Sequence, residues 1–85
     1  MRRILVSATI LTALLGAAVA ADRPVTDDER SKLVSAITAA GCSGGKMEWD
    51  EKDKEFEVDG TICDGHRHDL KFNADYSLKS KKLDT

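Results

Sequence analysis

Cysteine is scarce in this chain: Cys42 and Cys63 are the only two among 85 residues. One disulfide is therefore the most the chain can form, and their wide spacing is unlike that of a reactive or metal-holding thiol pair. No block of basic residues is present, which argues against nucleic acid as a partner, because phosphate recognition needs a positive surface. Ser43 has glycines nearby but no Gly-x-Ser-x-Gly elbow, and no nucleophile has a base and a positioned partner, so no enzyme and no cofactor are expected. The acidic stretch 50–59 lacks the ligand spacing and central glycine of an EF-hand loop.

Long apolar runs are missing as well, except at the start. Arg2 and Arg3 precede an uncharged, mostly apolar segment from Ile4 to Val19, and Ala18-Val19-Ala20 supplies small residues before Ala21. This is the pattern of a secretory signal peptide over residues 1–20, cleaved after Ala20 or Ala21, with the periplasm as destination. The apolar run is shorter than the roughly 20 residues that a membrane span needs, so no span is expected once the segment is removed. No lipobox cysteine follows it. Residues 21–85 then form one domain, which loses two arginines and no acids with the leader and keeps 11 Lys+Arg against 15 Asp+Glu, a net charge of −4.

A domain of that size buries only about 60% of its unfolded surface and needs a staple. In an oxidising compartment the two cysteines provide one. Closing the stretch from Cys42 to Cys63 contributes about 3 kcal/mol in the chain-entropy model.

Thr26 and Glu29 have the spacing of a capping box, and three acids in the first turn suit the positive end of a helix. Leu33, Ile37 and Ala40 follow on one face, and Gly41 stands where a left-handed cap belongs, so a helix is expected over 27–40. Asp28 and Lys32 can pair one turn apart. After the turn at Ser43-Gly44-Gly45 the period changes to two. Met47 and Trp49, Phe56 and Val58, Leu70 and Phe72, and Tyr76 and Leu78 each alternate with polar residues, which predicts four half-buried strands with Trp49 and Tyr76 in the core.

Parity sets the expected register, since a slip of one residue turns an apolar set toward water. A four-residue loop, 51–54, places Trp49 opposite Phe56 and Met47 opposite Val58. Three-residue loops at 64–66 and 73–75 would place Val58 opposite Phe72, Gly60 opposite Leu70, Phe72 opposite Tyr76 and Leu70 opposite Leu78. The fold class is then α+β: one N-terminal helix on a four-stranded antiparallel meander, with residues 21–25 as a leader. Cys63 has outward parity in this scheme and must leave the ladder, helped by a bulge at Gly60, to reach Cys42. Leu83 breaks the parity of the last strand. The first strand is an exposed edge, open to an added peptide strand.

Segments 24–30 (PVTDDER), 41–50 (GCSGGKMEWD), 56–59 (FEVD), 63–65 (CDG) and 69–78 (DLKFNADYSL) resemble single-domain PepSY proteins over nearly all of the chain after the leader. The resemblance implies a helix on an antiparallel sheet, a non-enzymatic role in the cell envelope, and a protein or peptide partner, with modulation of a peptidase as the implied activity. No catalytic residues come with it. A monomer is expected.

Two residue groups are candidates for a site. The register sets Glu48 opposite Glu57 and Asp50 opposite Glu55, although like charges facing across strands are destabilising. These four carboxylates form the acidic half of the open sheet face, with Lys79, Lys81 and Lys82 in a basic half. They are read as a docking surface for a basic patch on a protein, or simply as charge that keeps an open sheet soluble. His66 and His68, with Asp64 and Asp69 near them, are the other group. Two imidazoles on one strand face suit a transition metal but fall short of three or four ligands, so a small metal- or ion-binding protein using the His66/His68 end or the acidic face is the alternative function.

Overall fold

The computed structural model describes residues 22–84, and the expected leader over residues 1–20 lies outside them. Among the described residues the chain builds one helix and a six-stranded antiparallel sheet: β1 (Asp22–Pro24), α1 (Asp27–Ala39), β2 (Cys42–Ser43), β3 (Lys46–Asp50), β4 (Glu55–Cys63), β5 (His66–Asn73) and β6 (Leu78–Leu83). The sheet order is β1-β3-β4-β5-β6, with β2 beside the far end of β4.

The helix starts as its sequence dictates. Thr26 Oγ1 accepts from the Glu29 amide at 3.1 Å, and Glu29 Oε1 accepts from the Thr26 amide at 2.9 Å, so two otherwise orphaned donors are satisfied. Arg23 reaches from β1 to the same carboxylate with two hydrogen bonds of 2.8 and 3.0 Å, and its guanidinium lies 5.8 Å from the Trp49 ring. One arginine thus ties the edge strand, the helix start and β3 together. Leu33 and Ile37 are buried and pack with Met47, Phe56, Val58, Leu70 and Phe72. Each fully buried side chain of this size contributes about 1.5–3 kcal/mol relative to exposure. Trp49 and Tyr76 join the core edge as expected, at 4.6 and 5.0 Å from the Phe56 ring. Beyond Ala40 the chain turns at Gly41 with φ of +82°.

The first hairpin has the expected register, with Trp49 opposite Phe56 and Met47 opposite Val58. Asp50 Oδ1 accepts from the amides of Lys52 and Asp53, which closes the loop between the strands.

The second hairpin differs from expectation. Its turn is the two-residue Asp64-Gly65, with Cys63 opposite His66, and Val58 stands opposite Leu70 and Phe56 opposite Phe72. A bulge between Val58 and Thr61 absorbs the extra residue and reverses the parity of β4. Gly60 takes φ of +72° there, and its amide donates to Asp69 Oδ1 at 3.0 Å. Thr61 and Cys63 therefore point into the core, so Cys63 remains in the ladder where outward parity had it leave. It is bonded to Cys42, whose backbone it faces across β2 and β4 at a Cα separation of 4.2 Å. The buried Thr61 hydroxyl donates to the Ser43 carbonyl at 3.0 Å and holds β2 in place.

The last hairpin also differs. Leu78, where Tyr76 was expected, faces Phe72, and Lys81 rather than Leu78 faces Leu70. The loop is longer because Tyr76 adopts a left-handed conformation, φ +71°, with Asn73 N–H bonded to Ser77 O and Asp75 holding Ser77. A shift between Lys71 and Phe72 then puts Lys81 and Leu83 on the helix face. Leu83 keeps its place in the ladder, opposite His68.

The expected leader at 21–25 and the turn at Ser43 hold the two additional strands. Both are too short to show a period of two. β1 pairs with β3 from Asp22 opposite Asp50 to Pro24 opposite Glu48, so β3 is covered and cannot take an added strand there.

Two stability experiments follow from this architecture. A Cβ at Gly45 would lie 2.8 Å from Val58 Cγ1 and 3.1 Å from the Asp59 carbonyl, whereas at Gly60 it would meet only the movable end of Arg67. In urea unfolding, Gly45→Ala should cost about 2–3 kcal/mol and Gly60→Ala about 1–2 kcal/mol; the reverse order would contradict the close approach of the Gly44-Gly45 turn to β4. Glu29 is held at about 2 by the Arg23 guanidinium first and the Thr26 amide next. Its contribution is complete above the ordinary glutamate range and is lost as pH falls through that range toward 2. Glu29→Ala should cost about 1 kcal/mol at pH 7, and the difference from wild type should shrink on acidification; a constant difference down to pH 2 would contradict the assignment.

Candidate functional site

The sheet face away from the helix carries the charge. Glu48 and Asp50 from β3 meet Glu57 and Glu55 from β4, as the first hairpin requires. Beyond them Glu57 pairs with Lys71, Lys71 with Ser80, and Asp69 with Lys82. A shallow groove of about 350 Å³ runs over Glu57, Asp59, Asp69, Lys71, Ser80 and Lys82.

The four carboxylates singled out in the sequence share one region but not one environment. Glu55 is 2% exposed, its Oε1 accepting from Lys79 Nζ at 2.6 Å and its Oε2 lying 3.5 Å from Lys71 Nζ. The two lysines lie over it, and Glu55 is a structural anchor between β4, β5 and β6. Lys79 in turn has its ammonium pushed above the ordinary lysine range by the hydrogen bond it donates to Glu55. Asp50 is held low, first by the Asp53 amide. Glu48 has Lys46 at 3.6 Å. Glu57 is the least neutralised: burial first, then the charges of Asp50 and Asp22, push its carboxyl up.

Asp22, taken as leader in the sequence, completes the cluster. Brought in by β1, it groups its carboxylate with Glu48 and Glu57, and Asp50, Glu55 and Glu57 form a second group, with oxygens within 4.8 Å in each. Burial, then Asp50 and Glu48, raises Asp22. Asp59 is raised by burial first and Asp69 next. Nothing in residues 21–25 distinguishes Asp22 from a leader residue except its distance from Thr26, which suits a strand entering the helix.

The basic half is smaller than expected. Lys82 lies on the open face, Lys79 is held by Glu55, and Lys81 turns to the helix face, where its ammonium is 3.4 Å from the Ala40 carbonyl. The two histidines face Cys63 and Thr61 at the sheet end nearest the disulfide, and His68 Nδ1 lies 2.9 Å from the His66 carbonyl. Asp69 is turned away to the Gly60 amide. Among the described residues, the clusters able to hold an ion consist of carboxylates alone and do not include either histidine. No helix among them is long and apolar enough to cross a membrane. No family model, curated protein or solved structure matches this chain.

Neutralising one acid tests which carboxylates carry strain. Glu57→Gln should raise stability at pH 7 by about 0.5 kcal/mol, and the gain should fade as pH drops, because a raised carboxyl takes up its proton in the native state first. Glu55→Gln should lower stability by about 1 kcal/mol. Equal effects of the two substitutions in thermal unfolding would refute the distinction between strained and anchoring acids.

Proposed function

We propose that this chain is a non-enzymatic, exported PepSY-like module of the periplasm that binds a protein or peptide and modulates a peptidase there. The carrying observation is the acidic end of the open sheet face, where Asp22, Glu48, Asp50 and Glu57 face one another across three strands. Folding alone gains nothing from that arrangement, since facing like charges oppose it. A basic surface docked on it would relieve the repulsion and desolvate carboxylates that are already half-buried, which favours a specific partner over diffuse ionic contact.

A second reading is a cation site on the same face, and the group of Asp22, Glu48 and Glu57 favours it, whereas the group that includes Glu55 is already held by Lys79 and Lys71. Calcium takes oxygen ligands in flexible geometry. The His66/His68 end is the weaker alternative, because among the described residues no third ligand joins the pair.

The experiment is capture from envelope extract by the domain and by a Glu48→Gln/Asp50→Gln/Glu57→Gln variant that spares the anchor Glu55, with peptidases identified and their activity assayed on addition of the domain. The variant should lose at least about tenfold of the captured peptidase, as two or three relieved charge pairs imply. Undiminished capture would remove the acidic face as the site. Calorimetric titration with calcium and zinc decides the second reading, which fails if neither binds more tightly than about 1 mM.

A further inference from the structure

The sheet ends on β6, and among the described residues no strand pairs with its outer side. Asp84 donates to the Arg67 carbonyl, and Leu83, Lys82, Lys81 and Ser80 then face His68, Asp69, Leu70 and Lys71 in turn. Alternation along an antiparallel ladder directs the backbone groups of Ser80 and Lys82 to β5 and those of Lys81 and Leu83 outward. This edge therefore offers unpaired donors and acceptors at the spacing of a further strand.

Beside it, on the helix face, is an apolar groove of about 230 Å³ lined by Ala36, Ala39, Ala40, Phe72, Tyr76 and Leu78. The helix presents alanines here, so nothing bulky fills the space over the edge. Leu78 is 46% and Leu83 54% exposed, both on the face that the helix covers farther in.

Charge selects the occupant. β6 reads LKSKKL, with three lysines and no acid. A second copy pairing edge to edge would set lysines against lysines, which is how natural edges resist self-association. A strand with acids among its apolar residues meets the opposite condition. The other end of the sheet is blunted by three-residue β1, which carries Pro24 and adds Asp22 to the acidic face.

We propose that β6 accepts an extended acidic segment of a partner protein as an additional strand, its apolar side chains entering the alanine-lined groove on the helix face and its carboxylates lying on the open face beside Lys82. The inference rests on the reading of the chain as a protein- or peptide-binding module, but it places a peptide at a surface separate from the acidic face. Backbone pairing supplies the attachment and the groove and lysines the selection, as in other strand-addition complexes.

The test uses two labelled, end-blocked nonapeptides, one alternating Val and Glu and one alternating Val and Lys, followed by fluorescence anisotropy at low salt. The Val/Glu peptide should bind at least about tenfold more tightly, the sum expected of a few exposed charge pairs. Lys81→Pro removes the outward N–H together with the ammonium that reaches the Ala40 carbonyl, and should lower affinity at least tenfold, whereas Lys81→Gln loses the same ammonium but keeps the donor, and should lower it at most about two- to threefold. Ala39→Glu, at an exposed helix position that tolerates substitution, should weaken binding by a similar factor to Lys81→Pro. The Glu48→Gln/Asp50→Gln/Glu57→Gln variant should bind the Val/Glu peptide as wild type does, which separates failure of this proposal from failure of the acidic-face reading. Equal binding of both peptides, no binding of the Val/Glu peptide at millimolar concentration, wild-type affinity in both Lys81→Pro and Ala39→Glu, or a wild-type chain that sediments as a dimer would each overturn it.

Discussion

The extra residue at Asp59-Gly60 decides where most of the second half of the molecule lies. Before it, even-numbered residues of β4 face the helix; after it, odd-numbered ones do. Without that reversal Thr61 and Cys63 would face water, the Thr61 hydroxyl could not reach the Ser43 carbonyl, and the disulfide to Cys42 would have to be made across the sheet. The bulge is held by the Gly60 amide on Asp69, and the Arg67 guanidinium, bonded to Asp84, occupies the space into which a Cβ would project. Because the chain must take φ of +72° at that point, glycine is the residue that does so without strain.

The register of the last strand has a similar origin and a different consequence. Tyr76 in the left-handed region, stabilised by its stacking on Phe56, lengthens the turn and moves β6 relative to β5. Lys81 is thereby delivered to the carbonyl end of the helix, whose last turn contains no basic residue of its own. A cation at that end interacts favourably with the helix dipole. The same displacement leaves Lys79 over Glu55, so a carboxylate that alternation assigns to an open surface is buried beneath two lysines from neighbouring strands. Electrostatic anchoring of β6 and the choice of which acids remain free are thus one event.

Much of this was legible in the sequence where the signal is local. Thr26 and Glu29 mark the helix start by their spacing alone, and the four residues between Asp50 and Glu55 fix the first hairpin because both flanking strands keep strict alternation. The disulfide was legible for two reasons, the scarcity of cysteine and the topology that brings the helix end over the end of β4. Parity arguments failed where a strand carries a bulge, since one inserted residue leaves the apolar spacing on each side intact and changes only their phase. They failed again at Tyr76, an aromatic residue with strong strand preference that lies in a turn. Asp22 and Arg23 gave no signal because three residues cannot display a period.

The two ends of the sheet differ in a way that bears on what can bind. At the β1 end a short strand with proline closes the ladder and adds a carboxylate to an already acidic face, so attachment there must be through side chains. At the β6 end the backbone itself is available, and the lysines that guard it discriminate by charge more than they obstruct. An edge whose charged residues are all lysines repels copies of itself and other basic strands, yet Lys82, on the open face, sits on a flexible stem that can swing to meet a carboxylate. Protection against self-association and the proposed preference for an acidic strand thus draw on the same short run of β6.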